Sequence, residues 1–274
     1  MAENTSIIIV GQPGTSKTTF LSQLFLQVSK QKKRIKFRNR PENISILNDA
    51  INDLRQGKSV QATPSEINTD IEFPLIVDDK DIDLLCPDYA GEQISQLLDV
   101  NVRAIDSKWI ELITQSDGWI IFIRPSLLVF SNDISKKSIN EAENVKVDNN
   151  EEFKLSDQSS LIELLQILRF YKKLSVQQRT KVPKLLIAYT CWDELEETTP
   201  LEYTQKHLPL FYEFIKNNWS EDSFSFFGVS AQGGKIEDVK ENYEIEGPEE
   251  SAYVIAENGG DKIFDLSLLI TKVL

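Results

Sequence analysis

The sequence predicts an α/β fold, a mainly parallel sheet with helices on both faces, and three observations predict it. A short β-branched run, Ser6-Ile-Ile-Ile-Val10, leads straight into a glycine-bearing loop and then a Lys-Thr that opens an amphipathic segment. Strand-sized apolar runs alternate with segments of helical period nearly throughout, the pattern of βαβ units. No internal repeat is visible, and a hydrophobic fraction of 41% is enough for a sizeable core.

Taken in order, the first strand precedes a helix whose apolar face is Phe20, Leu21, Leu24, Phe25 and Val28. Residues 30–40 hold seven Lys or Arg; they read as the solvated end of that helix and the next strand, or as an anion-binding patch. Ile44, Leu47, Ile51 and Leu54 have helical spacing, with Asn43 as N-cap. Residues 71–77 and 82–86 read as extended, and 102–113 as a helix leading into a strand over 119–123. Leu161, Leu164, Leu165 and Leu168 mark a helix before a strand over 184–189. A helix over 201–215, a strand over 224–229 and a closing helix over 263–273 complete the series. Two polar stretches break it. Residues 131–160 read as a surface insertion whose composition suits disorder, and residues 237–250 are strongly acidic. The whole of 1–274 reads as one elaborated domain.

Composition excludes several classes. The formal net charge of −13 argues against general nucleic-acid or anionic-membrane binding, because no excess cation exists to neutralise phosphates. No apolar run approaches a membrane span, and the first residues lack the basic and long apolar regions of a signal peptide. Two cysteines and a single histidine rule out a four-ligand Cys/His zinc site and make a disulfide framework improbable. The expectation is a soluble, cytoplasmic protein.

The loop Gly11-Gln12-Pro13-Gly14-Thr15-Ser16-Lys17-Thr18-Thr19 has the layout of a phosphate-binding P-loop. Its backbone N–H groups and the unpaired donors of the following helix make a nest for β- and γ-phosphate oxygens. Lys17 adds a point positive charge, and the Thr18 hydroxyl takes a position on Mg²⁺. Ser16 stands where the motif asks for glycine. A tight turn between any strand and helix is the plainer alternative, which leaves the Lys-Thr-Thr opening unexplained.

Ligands of such sheets sit at the C-terminal ends of the strands, and three strand ends carry suggestive residues. In Asp88-Tyr-Ala-Gly91-Glu92, Asp88 can hold Mg²⁺ through a water, and Gly91 can bring a bare N–H close to a γ-phosphate. In Thr190-Cys191-Trp192-Asp193, a buried Asp193 carboxylate can accept both N1–H and N2–H₂ of guanine, or cap the segment that follows. In Ser230-Ala231-Gln232-Gly233-Gly234, a backbone N–H can meet guanine O6, or the run is simply a Gly-rich turn. A threonine closing on Mg²⁺ should lie before residue 71; Thr63 and Thr69 both qualify, with Thr63 preferred in its Pro-flanked loop.

Together these residues resemble the GTPases of the translation-factor-related class, to which Ras-like proteins belong. Asp88-Tyr-Ala-Gly-Glu92 looks most like the bacterial double-GTPase group, which tends to be encoded within conflict or defence systems. The resemblance covers most of the chain and implies a Ras-like GTPase domain with insertions, binding GTP/GDP and Mg²⁺. It implies Lys17 on β/γ-phosphate, Thr18 and Asp88 on Mg²⁺, Gly91 sensing γ-phosphate and Asp193 reading guanine. Three departures accompany it. Thr190-Cys191 stands where the family usually has Asn-Lys, leaving Trp192 or another side chain to supply stacking over the base. Glu92 occupies the place of a water-orienting Gln, as the catalytic candidate beside Lys17. Ser16 replaces the last loop glycine.

The leading expectation is a guanine-nucleotide switch with slow hydrolysis that signals through residues 61–70 and 90–97 to a protein partner. The partner would complete catalysis, for example with an arginine finger; Arg124, in Ile123-Arg124-Pro125, is the internal arginine worth testing. A pseudo-GTPase scaffold or adaptor and an ATPase on the same loop are the alternatives.

Overall fold

The computed structural model describes residues 4–30, 34–60, 70–87, 105–129, 156–195 and 198–274. Eight strands among them form one sheet: β1 (Thr5–Gly11), β2 (Ile35–Phe37), β3 (Ile71–Val77), β4 (Lys80–Cys86), β5 (Gly118–Ile123), β6 (Lys184–Thr190), β7 (Phe224–Ser230) and β8 (Tyr253–Ile255). Their spatial order is β2-β3-β4-β1-β5-β6-β7-β8. The five strands from β4 to β7 are mutually parallel, whereas the β2–β3, β3–β4 and β7–β8 pairs are antiparallel.

The central strands are apolar on both sides because both faces are covered. Along β1, Ile7 and Ile9 enter one core and Ile8 and Val10 the other. On the first face lie α1 (Lys17–Ser29) and α2 (Ser45–Arg55). On the second lie α3 (Ser107–Gln115), α4 (Asp157–Tyr171), α5 (Pro200–His207) and α6 (Pro209–Asn218). The chain then returns to the first face with α7 (Ile236–Ile245), whose Val239 and Tyr243 pack on Leu54 of α2, and α8 (Leu268–Lys272). The sequence pattern of an α/β P-loop NTPase fold is therefore realised.

Helix α1 is buried more completely than an amphipathic face requires. Phe20, Leu21, Leu24 and Val28 lie on the sheet, and Gln23 and Gln27 are buried on another side. Gln23 Nε2 donates to the Pro248 carbonyl at 3.1 Å and Gln27 Nε2 to the Glu249 carbonyl at 2.8 Å. Leu266 N donates back to Gln27 Oε1 at 2.9 Å, so this buried amide is used at both ends. The segment after α7 thereby covers α1 and holds the helix that carries Lys17.

Several sequence expectations need correction. Asn43 does not cap α2: it sits in the left-handed region at φ 59°, and Ile44 holds the N-cap position. The helix expected over 201–215 is two helices, because Pro209 lacks the N–H to continue α5 and instead starts α6. Residues 237–250 are mostly helical, and the closing helix shrinks to Leu268–Lys272 while Ile263 bridges Val254 of β8. Helix α4 begins at Asp157, inside the stretch taken as an insertion; 131–155 lie outside the described residues, as do 102–104 of the expected helix. Lys30 ends α1, and β2 lies within the cationic run, where Arg34 pairs with Asp78 at 2.5 Å and Arg38 with Asp83 at 2.6 Å.

Candidate functional site

The C-terminal ends of β1, β5, β6 and β7 come level, with Gly11 opposite Phe122 and Thr190 opposite Val229. The loop from Gly11 to Ser16 leaves this edge and turns back into α1. A Cβ on Gly11 would lie 2.7 Å from Thr15 Oγ1 and 2.8 Å from Phe122 Cβ, so the close approach of the loop to β5 requires glycine. Thr15 Oγ1 donates to the Gln12 carbonyl at 2.8 Å and tightens the turn. Gly14 lies at φ 79°.

Ser16 lies at φ 59°, ψ 26°, in the left-handed region that the motif's glycine would adopt freely. The loop has kept its backbone path at a cost of about 1–2 kcal/mol. Ser16 makes no side-chain cap on α1, and the first turn carries no acidic residue, so the helix N-terminus is suited to an anion. Ser16→Gly is expected to raise stability by about 1 kcal/mol, read as a higher midpoint of thermal denaturation. A lower midpoint would show that the serine contact described next outweighs the strain.

Ser16 Oγ meets Cys191 Sγ at 3.2 Å, joining the phosphate loop to the turn after β6. Cys191 is itself left-handed, at φ 52°, and starts the short 3₁₀ turn Trp192–Glu194. Burial pushes its thiol pKa up, against smaller opposing effects of the Ser16 hydrogen bond and Arg124. Lys17 Nζ donates to the Gly11 carbonyl at 2.7 Å and the Gln12 carbonyl at 3.0 Å, so its ammonium sits over the loop.

The 3₁₀ turn sends Trp192 inward and Asp193 outward. The Trp192 ring packs with Tyr189 at 5.9 Å and Tyr203 at 6.1 Å between centroids. A Cβ on Gly228 would come 2.5 Å from it. The indole expected to stack on a ligand is thus mostly core. Asp193, expected buried, is exposed, and it does not cap a helix. Its Oδ1 accepts a hydrogen bond from Ser230 Oγ, which also accepts from Gly233 N at 2.9 Å. Helix α5 has its own capping box, Thr199 with Glu202. Thr190 is buried with its hydroxyl toward the Ile123 carbonyl at 3.5 Å, and Ala231 is buried.

The structure thus brings the Gly11–Thr19 loop together with the Asp193 turn and the Ser230 strand end. Asp88, Gly91, Glu92, Thr63 and Thr69 lie outside the described residues, so Thr18 is the metal candidate that falls within them. Beyond Asp193 opens a groove of about 850 Å³ lined by Trp192, Gly233, Lys235, Tyr253 and Lys262 among others. Sequence reading missed it, because β8, which brings in Tyr253, is three residues long and carries no periodic signal. Also missed was the ion pair of Arg124 with Glu194, Nη2 to Oε1 at 2.5 Å. That carboxylate holds the guanidinium more firmly protonated.

A buried parallel strand, a glycine-bearing loop with a left-handed serine, and a helix opening on Lys-Thr define a P-loop NTPase. The chain belongs to the Double-GTPase 1 family, whose model matches residues 8–273. That membership supports guanine-nucleotide binding. Among solved structures the chain is similar to a bacterial selenocysteine-specific elongation factor, at 14% identity and a TM-score of 0.38. The match covers 91% of this chain and 29% of the length of that one. No curated protein sequence matches it. No helix among the described residues is long and apolar enough to cross a membrane.

Proposed function

We propose that this chain is a guanine-nucleotide-binding switch with slow intrinsic GTP hydrolysis that a protein partner completes. The observation that supports it most is the 3.2 Å contact of Ser16 with Cys191, which sets a phosphate loop beside the turn that carries Asp193. In this reading Lys17 and the first N–H groups of α1 take the phosphate oxygens. The Thr18 hydroxyl serves Mg²⁺, with Asp88 and Thr63 as its companions and Gly91 on the γ-phosphate. Asp193, oriented by Ser230, accepts the two donors of the guanine edge, and a backbone N–H near Ala231 serves O6.

Slow hydrolysis follows from charge. A Glu92 carboxylate beside a γ-phosphate is repelled unless a cation offsets it, so it orients water poorly without help. A partner that brings a cation supplies that help, as arginine fingers do. The membership in the double-GTPase group suits a place in a bacterial conflict or defence system.

Titration calorimetry with Mg²⁺ and GTP, GDP, ATP or a non-hydrolysable GTP analogue tests the reading. Selective guanine binding supports it; equal ATP binding makes the protein an ATPase, and no binding makes it a scaffold. Asp193→Asn is expected to weaken guanine nucleotides by tenfold or more, on the order of one lost charged hydrogen bond. The same variant should gain affinity for xanthine nucleotides, whose edge offers an acceptor where guanine offers a donor. A protein indifferent to that change does not read guanine through Asp193.

A further inference from the structure

Arg124 follows the last residue of β5, and its guanidinium reaches two loops at once. Nη1 donates to the Gly14 carbonyl at 3.4 Å. Nη2 pairs with Glu194 Oε1 at 2.5 Å, and Nε lies 3.4 Å from Glu194 Oε2 and 3.1 Å from Ser126 Oγ. Ser126 Oγ in turn donates to Glu194 Oε2 at 2.8 Å, so the carboxylate is held on both oxygens. Gly14 belongs to the phosphate loop and Glu194 to the turn that carries Asp193.

An isolated surface ion pair contributes little. This one is a two-pronged fork with a hydroxyl behind it and a backbone carbonyl in front. Arg124 is 30% exposed, and it joins segments 110 and 70 residues away in the chain. Cys191, which meets the phosphate loop from the same turn, ends in a thiol and supplies no cation there.

We infer that Arg124 is a positioning residue of the nucleotide site, a cationic tie supplied from β5 that sets the spacing between the phosphate loop and Asp193. The inference rests on the nucleotide-binding reading above. A nucleotide with phosphates on one loop and base on the other spans the same gap, so the tie matters equally to diphosphate and triphosphate. An arginine directed at the γ-phosphate would instead discriminate between them. Glu194 and Ser126 act through Arg124 by fixing its fork.

The test is calorimetric affinity for GDP and for a non-hydrolysable GTP analogue, with Mg²⁺. The proteins are wild type, Arg124→Ala, Arg124→Lys, Glu194→Gln and the Arg124→Ala/Glu194→Gln pair, each with a thermal melt to confirm folding. Arg124→Ala should weaken both nucleotides by the same factor, roughly ten- to a hundredfold. Arg124→Lys should recover part of that loss, as a point charge without the fork. Glu194→Gln should weaken binding on its own and add nothing in the Arg124→Ala background. Wild-type affinity in Arg124→Ala, a loss confined to the triphosphate analogue, or additive losses in the double variant would each overturn the inference while leaving nucleotide binding intact. A wild type that binds neither nucleotide overturns the parent reading, and that is seen before any substitution is made. Should Arg124→Ala fail to fold, Arg124→Lys and Glu194→Gln carry the comparison.

Discussion

Lys17→Ala is expected to abolish measurable nucleotide binding, a loss of roughly a hundredfold or more, while the fold is retained. The ammonium sits over the loop, 2.7 Å from the Gly11 carbonyl and 3.0 Å from that of Gln12, at the N-terminus of α1. Phosphates bring two or more negative charges to this point, and the helix N-terminus alone offers only partial positive charge. The side chain is only half-buried, and α1 is anchored by its apolar face and by Gln23 and Gln27, so its loss opens no large cavity. Calorimetry and circular dichroism on the same preparation separate the two effects. Unchanged affinity would sink the P-loop reading.

Trp219→Ala should be the most destabilising single substitution on the second face of the sheet. Trp219 is fully buried at the end of α6, with its ring 6.2 Å from that of Trp119 and the Arg169 guanidinium 5.0 Å from its centroid. Its Nε1 donates to the Pro183 carbonyl at 3.0 Å. Truncation leaves a cavity, strips Arg169 of its aromatic face and leaves that carbonyl without its donor. Burial already lowers the Arg169 pKa, and its remaining hydrogen bonds to Thr180, Asn218 and Ser175 would be left to hold the charge. A cost of about 3–5 kcal/mol is expected, which for a chain of this size lowers the thermal midpoint by roughly 10 °C. Denaturant unfolding with an unchanged slope checks it; a change below about 1 kcal/mol would show that the face repacks.

The parallel core was legible because strands buried on both faces must be apolar throughout, and 119–123 and 185–189 are. The elements that escaped have little to bury. Helix α7 buries only Val239 and Tyr243, and its other positions are largely charged, so its pattern reads as an acidic stretch. β8 is too short for a period to show. The phosphate loop was legible down to its departure from the motif, since a position that needs a left-handed backbone still has one with serine in it. What sequence could not supply is direction. Whether Trp192 or Asp193 faces solvent depends on the left-handed Cys191 before them, and no local preference of cysteine announces that conformation. The tie between Arg124 and Glu194 joins residues 70 apart, a distance at which spacing carries no signal.

The sheet is wide but its margins are narrow. Both outermost strands, β2 and β8, have three residues, and β8 is bridged on its outer side by Ile263. Edge strands this short are themselves poor templates for growth by strand addition. In the switch reading proposed above, a partner that read the nucleotide state would grip helices and loops instead. Recognition of that kind would be undone each time the loops change, which suits a signal meant to be temporary.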